Sequence, residues 1–130
     1  MSNTLTTPEI IELPAELWDT LMQLQDQRQI TVVVTVGVNP ETHYQRIWPN
    51  IELRSEVNAE SAKLVQVIGL NPFPNWTKIP AGVQKQFCLI FESLSSNVSR
   101  FSIVEDIPEN GGFLETGIVR NKSDVYRILQ

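Results

Sequence analysis

The sequence predicts an all-β domain, an antiparallel sandwich of about seven short strands with one N-terminal amphipathic helix. Three observations carry that expectation. Helical spacing of apolar residues is confined to residues 14–28. From Ile30 onward, β-branched and aromatic runs alternate with period two, punctuated by Gly, Pro, Asn and Asp roughly every 8 to 12 residues. Strands and helices do not alternate, which excludes a doubly wound parallel sheet.

Taken in order, residues 1–12 read as a tail, and Pro14 opens the helix at the position where its missing N–H costs nothing. Glu16 and Asp19 lie where the helix dipole favours acids, and Leu17, Leu21 and Leu24 make one apolar stripe. Residues 30–130 are assigned to the sandwich. Ile30, Val32, Val34, Val36 and Val38 form one face of the first strand, with Thr31, Val33 and Thr35 on the other. The run Tyr44–Arg54 is read as a second strand, with Pro49 forcing an edge position or a bulge. Ala62–Ile68 is a third. The stretch Gly69–Gly82, with Pro72, Pro74 and Pro80, is read as a loop. In Gln84–Leu94, Phe87, Leu89 and Phe91 alternate with Cys88 and Ile90, the mark of a strand covered on both faces. Ser99–Ile107, Gly111–Val119 and Val125–Leu129 complete the set.

Within the C-terminal half, Phe87, Leu89, Phe91, Leu94, Phe101, Ile103, Val104 and Glu105 follow an F-x-L-x-F strand, a short link and an F-x-L-I-E-like strand. This stretch resembles uncharacterised bacterial immunoglobulin-like domains, with Ser95 where that pattern usually has proline. The resemblance implies an immunoglobulin-like sandwich and no particular activity.

A chain of 130 residues, 42% hydrophobic and 19% charged, is one domain able to bury its own core. No apolar run reaches the roughly 20 residues that span a bilayer, and the N-terminal stretch lacks the basic and apolar regions of a signal peptide. Cys88, the only cysteine, permits no internal disulfide, so a cytoplasmic location and no membrane partner are expected. A net charge of −5 argues against nucleic acid as partner, since a phosphate backbone selects clustered Lys and Arg.

No residue set promises catalysis. His43, the only histidine, sits in a polar turn beside Glu41 without an evident nucleophile, and Cys88 sits among apolar neighbours that disfavour a thiolate. Glu105, Asp106 and Glu109 lack the Asp/Asn ladder of a calcium loop and read as a solvated strand end. Gly111 and Gly112 precede a strand rather than a helix and are flanked by acids, so they turn the chain instead of cradling phosphate. No cofactor, no metal and no enzymatic function are expected.

Two surfaces remain for binding. The proline-stiffened loop carries Phe73, Trp76 and Ile79, aromatic and apolar groups of the kind that anchor interfaces, unless they fold back to plug the core. The strand Val125–Leu129 offers an edge guarded by Arg127. The expected role is a non-catalytic protein-interaction module or accessory subunit. The alternative is a small-ligand binder with an apolar pocket between helix and sheet.

Overall fold

The computed structural model describes residues 29–130, and within them the chain forms nine strands and no helix. The helix expected at 14–28 lies outside the described residues. The strands are β1 (Ile30–Val36), β2 (His43–Gln45), β3 (Glu52–Ser55), β4 (Ser61–Ile68), β5 (Thr77–Ile79), β6 (Lys85–Phe91), β7 (Arg100–Val104), β8 (Leu114–Val119) and β9 (Val125–Leu129). Seven of them make one curled sheet in the order β8-β7-β3-β4-β6-β1-β9, and β2 pairs with β5 in a separate ribbon. Neighbours are antiparallel except β1 and β9, which run parallel. That parallel pair departs from the all-antiparallel expectation, because alternation fixes which face is buried but not the direction of a partner strand.

The centre of the sheet follows from β1 and β6. Val34 faces Phe87, Val32 faces Leu89 and Ile30 faces Phe91, stacking β-branched residues against large ones across the pair. These residues are fully buried in the core, as are Leu53 on β3 and Phe101 and Ile103 on β7. Burying each such side chain contributes about 1.5–3 kcal/mol. The opposite face of β1 and β6 is closed as well, since Thr31, Val33, Cys88 and Ile90 are all buried. Two covered faces on β6 are what its unbroken apolar sequence requires.

The curl has its corner in β4. Its first residues pair with β3, from Ser61 opposite Arg54 to Lys63 opposite Glu52, and its later ones pair with β6, from Leu64 opposite Phe91 to Ile68 opposite Cys88. Between Leu64 and Gln66 the register slips by one, leaving Val65 bulged and exposed. A bulge bends its strand and sharpens its twist, so one strand serves both halves of the sheet.

A second register slip lies between β7 and β8, where Thr116 and Gly117 oppose Ser102 alone. Gly117 adopts φ +69°, a conformation other residues reach only with strain. Glu56 staples this bulge: its carboxylate accepts the Gly117 N–H at 2.7 Å and the Ser102 hydroxyl, and pairs with Arg100 at 3.1 Å. These hydrogen bonds, Ser102 foremost, hold the Glu56 carboxyl below the ordinary carboxylate value.

Two strand expectations are corrected. Tyr44–Arg54 is not one strand. Pro49 sits in a turn closed by the Ile51 N–H donating to the Trp48 carbonyl at 3.2 Å, and β2 and β3 lie either side of it. A proline cannot donate to a ladder, so the turn replaces the bulge. The stretch Gly69–Gly82 is not wholly loop, because Thr77–Ile79 forms β5.

Candidate functional site

The ribbon of β2 and β5 sorts its side chains by strand alternation. His43 opposes Ile79, Tyr44 opposes Lys78 and Gln45 opposes Thr77. On the inner side, Ile47 and Ile79 enter the core. On the outer side stand Tyr44, Arg46 and then Trp48, each two residues on, faced by Lys78 and Trp76. The ribbon therefore caps the core with two isoleucines and presents aromatic rings outward.

Arg46 is the hub of that outer face. Its guanidinium carbon lies 4.1 Å from the Trp76 ring centroid, 5.3 Å from that of Phe73 and 5.5 Å from that of Trp48. Its Nη2 donates to Glu109 Oε1 at 2.8 Å, and its Nη1 donates to the Pro74 carbonyl at 3.2 Å. Glu109 Oε1 also accepts the Trp48 indole N–H at 2.9 Å. Trp48 and Phe73 are tilted at 47° with centroids 4.8 Å apart. Only 16% of the Arg46 side chain is exposed, and cation–π contacts strengthen as the cation loses water. The guanidinium thus ties three rings, one carboxylate and one carbonyl into a single rigid cluster.

The loop that carries Phe73 and Trp76 is fixed from within. The Asn71 N–H donates to Thr77 Oγ1 at 2.7 Å, the Asn71 side-chain amide donates to the Trp76 carbonyl at 2.9 Å, and the Asn75 N–H donates to the Pro72 carbonyl at 2.9 Å. Trp76 is nevertheless 49% exposed, Tyr44 56% and Phe73 37%. Tyr44 and Trp76 line a shallow, open and almost wholly apolar depression on this face. A rigid, half-exposed aromatic surface loses little entropy on contact, which suits it to binding.

The loop residues singled out from sequence therefore separate. Phe73 and Trp76 stand on the outer surface, while Ile79 is 1% exposed and packs in the core. Ile79 is corrected from a contact residue to a core plug, because it falls on the inward phase of β5. Arg127 lies elsewhere, exposed on β9 opposite Val33 of β1. Among the described residues β9 ends the sheet on one side and β8 on the other, and both line a groove of about 610 Å³. The connection between them is locked. Arg120 grips Asp124 at 2.6 and 3.1 Å and donates to the carbonyls of Leu94, Ser95 and Val98, while the Tyr126 hydroxyl accepts the Asn121 N–H and donates to Asp124.

Other polar residues are occupied structurally. Glu105 is not a solvated strand end. It is buried, and its carboxylate accepts the Trp48 N–H at 2.7 Å and the Phe113 N–H at 2.9 Å. His43 is half-buried rather than solvated, and its Nδ1 has no hydrogen-bond partner among the described residues. Burial pushes the Cys88 thiol up to about 12, so it carries no nucleophilic thiolate near neutral pH. Among the described residues, no group of three or more His, Cys, Asp and Glu is placed to hold a metal, and no helix is long and apolar enough to cross a membrane.

Tyr44, Arg46 and Trp48 were not singled out from sequence, and Glu109 was read only as part of a solvated strand end. The first three carry a readable signal, an aromatic–basic–aromatic alternation on one face of "YQRIW". Glu109 carries none, since its role depends on a long-range approach to Arg46. No protein family, curated protein or solved structure matches this chain.

Proposed function

We propose that the protein is a non-catalytic interaction module that contacts a partner protein through the aromatic face of Tyr44, Phe73 and Trp76. One observation carries this reading: Trp76 is half exposed yet locked in place against Arg46 at 4.1 Å. An indole that served only the core would be covered, and one without a role has no need of a fixed support. Large aromatics held rigid at a surface are the residue type on which interface energy concentrates. The finer architecture belongs to the same proposal. The curled sheet is read as an immunoglobulin-like sandwich whose two halves, β8-β7-β3 and β6-β1-β9, meet at the bent strand β4. A reducing, cytoplasmic setting is part of it too, since Cys88 is a free thiol. The small-ligand alternative requires a pocket against segment 14–28, outside the described residues.

The test compares immobilised wild-type protein with Trp76→Ala in capture from a native extract, with both variants checked for folding by circular dichroism. The expected result is a stoichiometric partner retained by the wild type and lost by the variant. A partner held equally by both moves the contact surface away from this face.

A further inference from the structure

We propose that the outer face of β1 and β6 is the docking site of this chain's own segment 14–28, an amphipathic helix whose leucine stripe seals a strip formed by Thr31, Val33, Cys88 and Ile90. The segment lies outside the described residues, and the contact does not depend on the aromatic face being the interaction surface.

The first argument is a burial that the described strands leave unexplained. Thr31 opposes Ile90, Val33 opposes Cys88 and Thr35 opposes Gln86, so these side chains make one continuous strip. The interior cluster takes Ile30, Val32, Val34 and Val36 from β1 and Phe87, Leu89 and Phe91 from β6. Val33, Cys88 and Ile90 lie outside that cluster, on the opposite phase of both strands. They are nonetheless fully buried, as is Thr31, and Thr35 is nearly so. Among the described residues, β1 and β6 make their extensive strand contacts edge to edge, with β9 and β4 of the same sheet. The burial arises within one chain, which points to the residues before Gln29 as the cover.

The second argument is size. The covered strip is two strands wide, roughly 10 Å at about 4.8 Å per strand. Burial stops on either side of it: Arg127 and Leu129 on β9 are exposed, and so is Gln66 of β4, which opposes Ile90. A helix with its side chains is about 10–12 Å across, and 15 helical residues extend about 22 Å. The seven residues of β1 extend about 23 Å. One helix matches that strip in width and length, whereas a further sheet or a folded partner would also cover the flanking strands.

The third argument is sequence. Only Gln29 separates segment 14–28 from β1, so the segment turns back over its own strand without a long connection. Leu17, Leu21 and Leu24 share one helical face, with Trp18 and Met22 beside them, and a sheet face of Val, Cys and Ile is the complement of such a stripe. Glu16, Asp19 and Asp26 outnumber Arg28 in the segment, and Arg127 borders the strip opposite Val33, so the charges match as well.

Cys88 reports on the cover, because it is the only thiol of the chain and lies within the strip. Its reaction with dithiobis(nitrobenzoate) is timed in the native full-length protein and in urea. The native rate should be at least about a hundredfold lower, corrected for the effect of urea on a free thiol. Leu21→Asp should raise the native rate at least about tenfold by setting a charge against the strip. Gln23→Asp, on the opposite side of the same helix, should leave it unchanged. Hydrogen exchange read by mass spectrometry should show amides of 14–28 losing protection in Leu21→Asp while those of β1 and β6 keep theirs. If Leu21→Asp unfolds the sheet, Leu21→Ala takes its place and should raise the rate several-fold with β1 and β6 still protected. A native wild-type thiol as reactive as the unfolded one, or equal rates in the wild type and the folded Leu21 variant, overturns the proposal. Thiol protection that disappears on dilution overturns it too, by assigning the cover to a second copy.

Discussion

Truncating Trp76 to alanine separates a surface platform from a core plug through stability alone. Half of the indole is buried. Complete burial of a large apolar side chain stabilises by about 1.5–3 kcal/mol, so this half contributes about 1 kcal/mol. The stack on Arg46 adds about 0.5–1 kcal/mol for a partly exposed cation–π contact. Arg46 itself is not orphaned by the change, because Glu109 and the Pro74 carbonyl still hold two of its nitrogens. The expected loss is therefore about 1.5–2 kcal/mol. Phe87, fully buried between β1 and β4, is the internal reference, and Phe87→Ala should cost about 3–5 kcal/mol. Urea denaturation followed by far-ultraviolet circular dichroism at 25 °C measures both. A Trp76→Ala loss equal to that of Phe87→Ala would make Trp76 a core residue and remove the basis of the platform. A loss below about 0.5 kcal/mol would mean that the Arg46 stack does not persist in solution.

Two further outcomes follow from the backbone and from titration. A Cβ added at Gly112 would collide with the Glu105 carbonyl oxygen, so Gly112→Ala should lower stability by about 2–3 kcal/mol in the same urea assay; a change under about 0.5 kcal/mol would refute that close approach. Glu56 and Glu60 are held below their ordinary value of 4.5, Glu56 by Ser102 and the Gly117 N–H, Glu60 by the Ser95 hydroxyl and N–H. A carboxylate with a lowered folded-state value contributes its stability above 4.5 and loses it as pH falls through that lower value. The urea midpoint should accordingly drop on acidification below pH 4.5, and Glu56→Gln should flatten that drop. A Glu56→Gln midpoint that falls as steeply as the wild type's would rule the Glu56 staple out as a source of acid sensitivity.

Burial was legible in part. The unbroken run Phe87–Phe91 predicts a strand covered on both faces, whereas the alternation of Ile30–Val36 marks a single apolar face, and Thr31, Val33 and Thr35 on its other face are buried as well. Partner direction was not legible, and so the parallel β1–β9 pair was missed. Pro49 reads from sequence as an edge or bulge position within one strand, whereas it sits in the Trp48–Ile51 turn between two; a proline disrupts a strand equally by bulging or by ending it, and only that turn distinguishes the two. The candidate site was half visible. Phe73 and Trp76 announce themselves by type and by the prolines around them, and Ile79 shared that signal although its β5 phase turns it inward. Glu105 and Glu109 looked alike in sequence, yet one is buried under Trp48 and Phe113 while the other clamps Arg46. Such division of labour arises from tertiary approach, which local pattern does not encode.

The parallel pairing of β1 with β9 also bears on the order in which the fold can assemble. β3 with β4 is a hairpin closed over a few residues, whereas β1 must wait for a strand at the far end of the described chain. Closing so long a loop is entropically unfavourable before any contact compensates for it, and topologies dominated by such contacts fold in milliseconds to seconds rather than microseconds. The β1–β9 pairing thus closes the longest loop in the sheet, and the Arg120–Asp124 clamp stands at the entrance of its second strand.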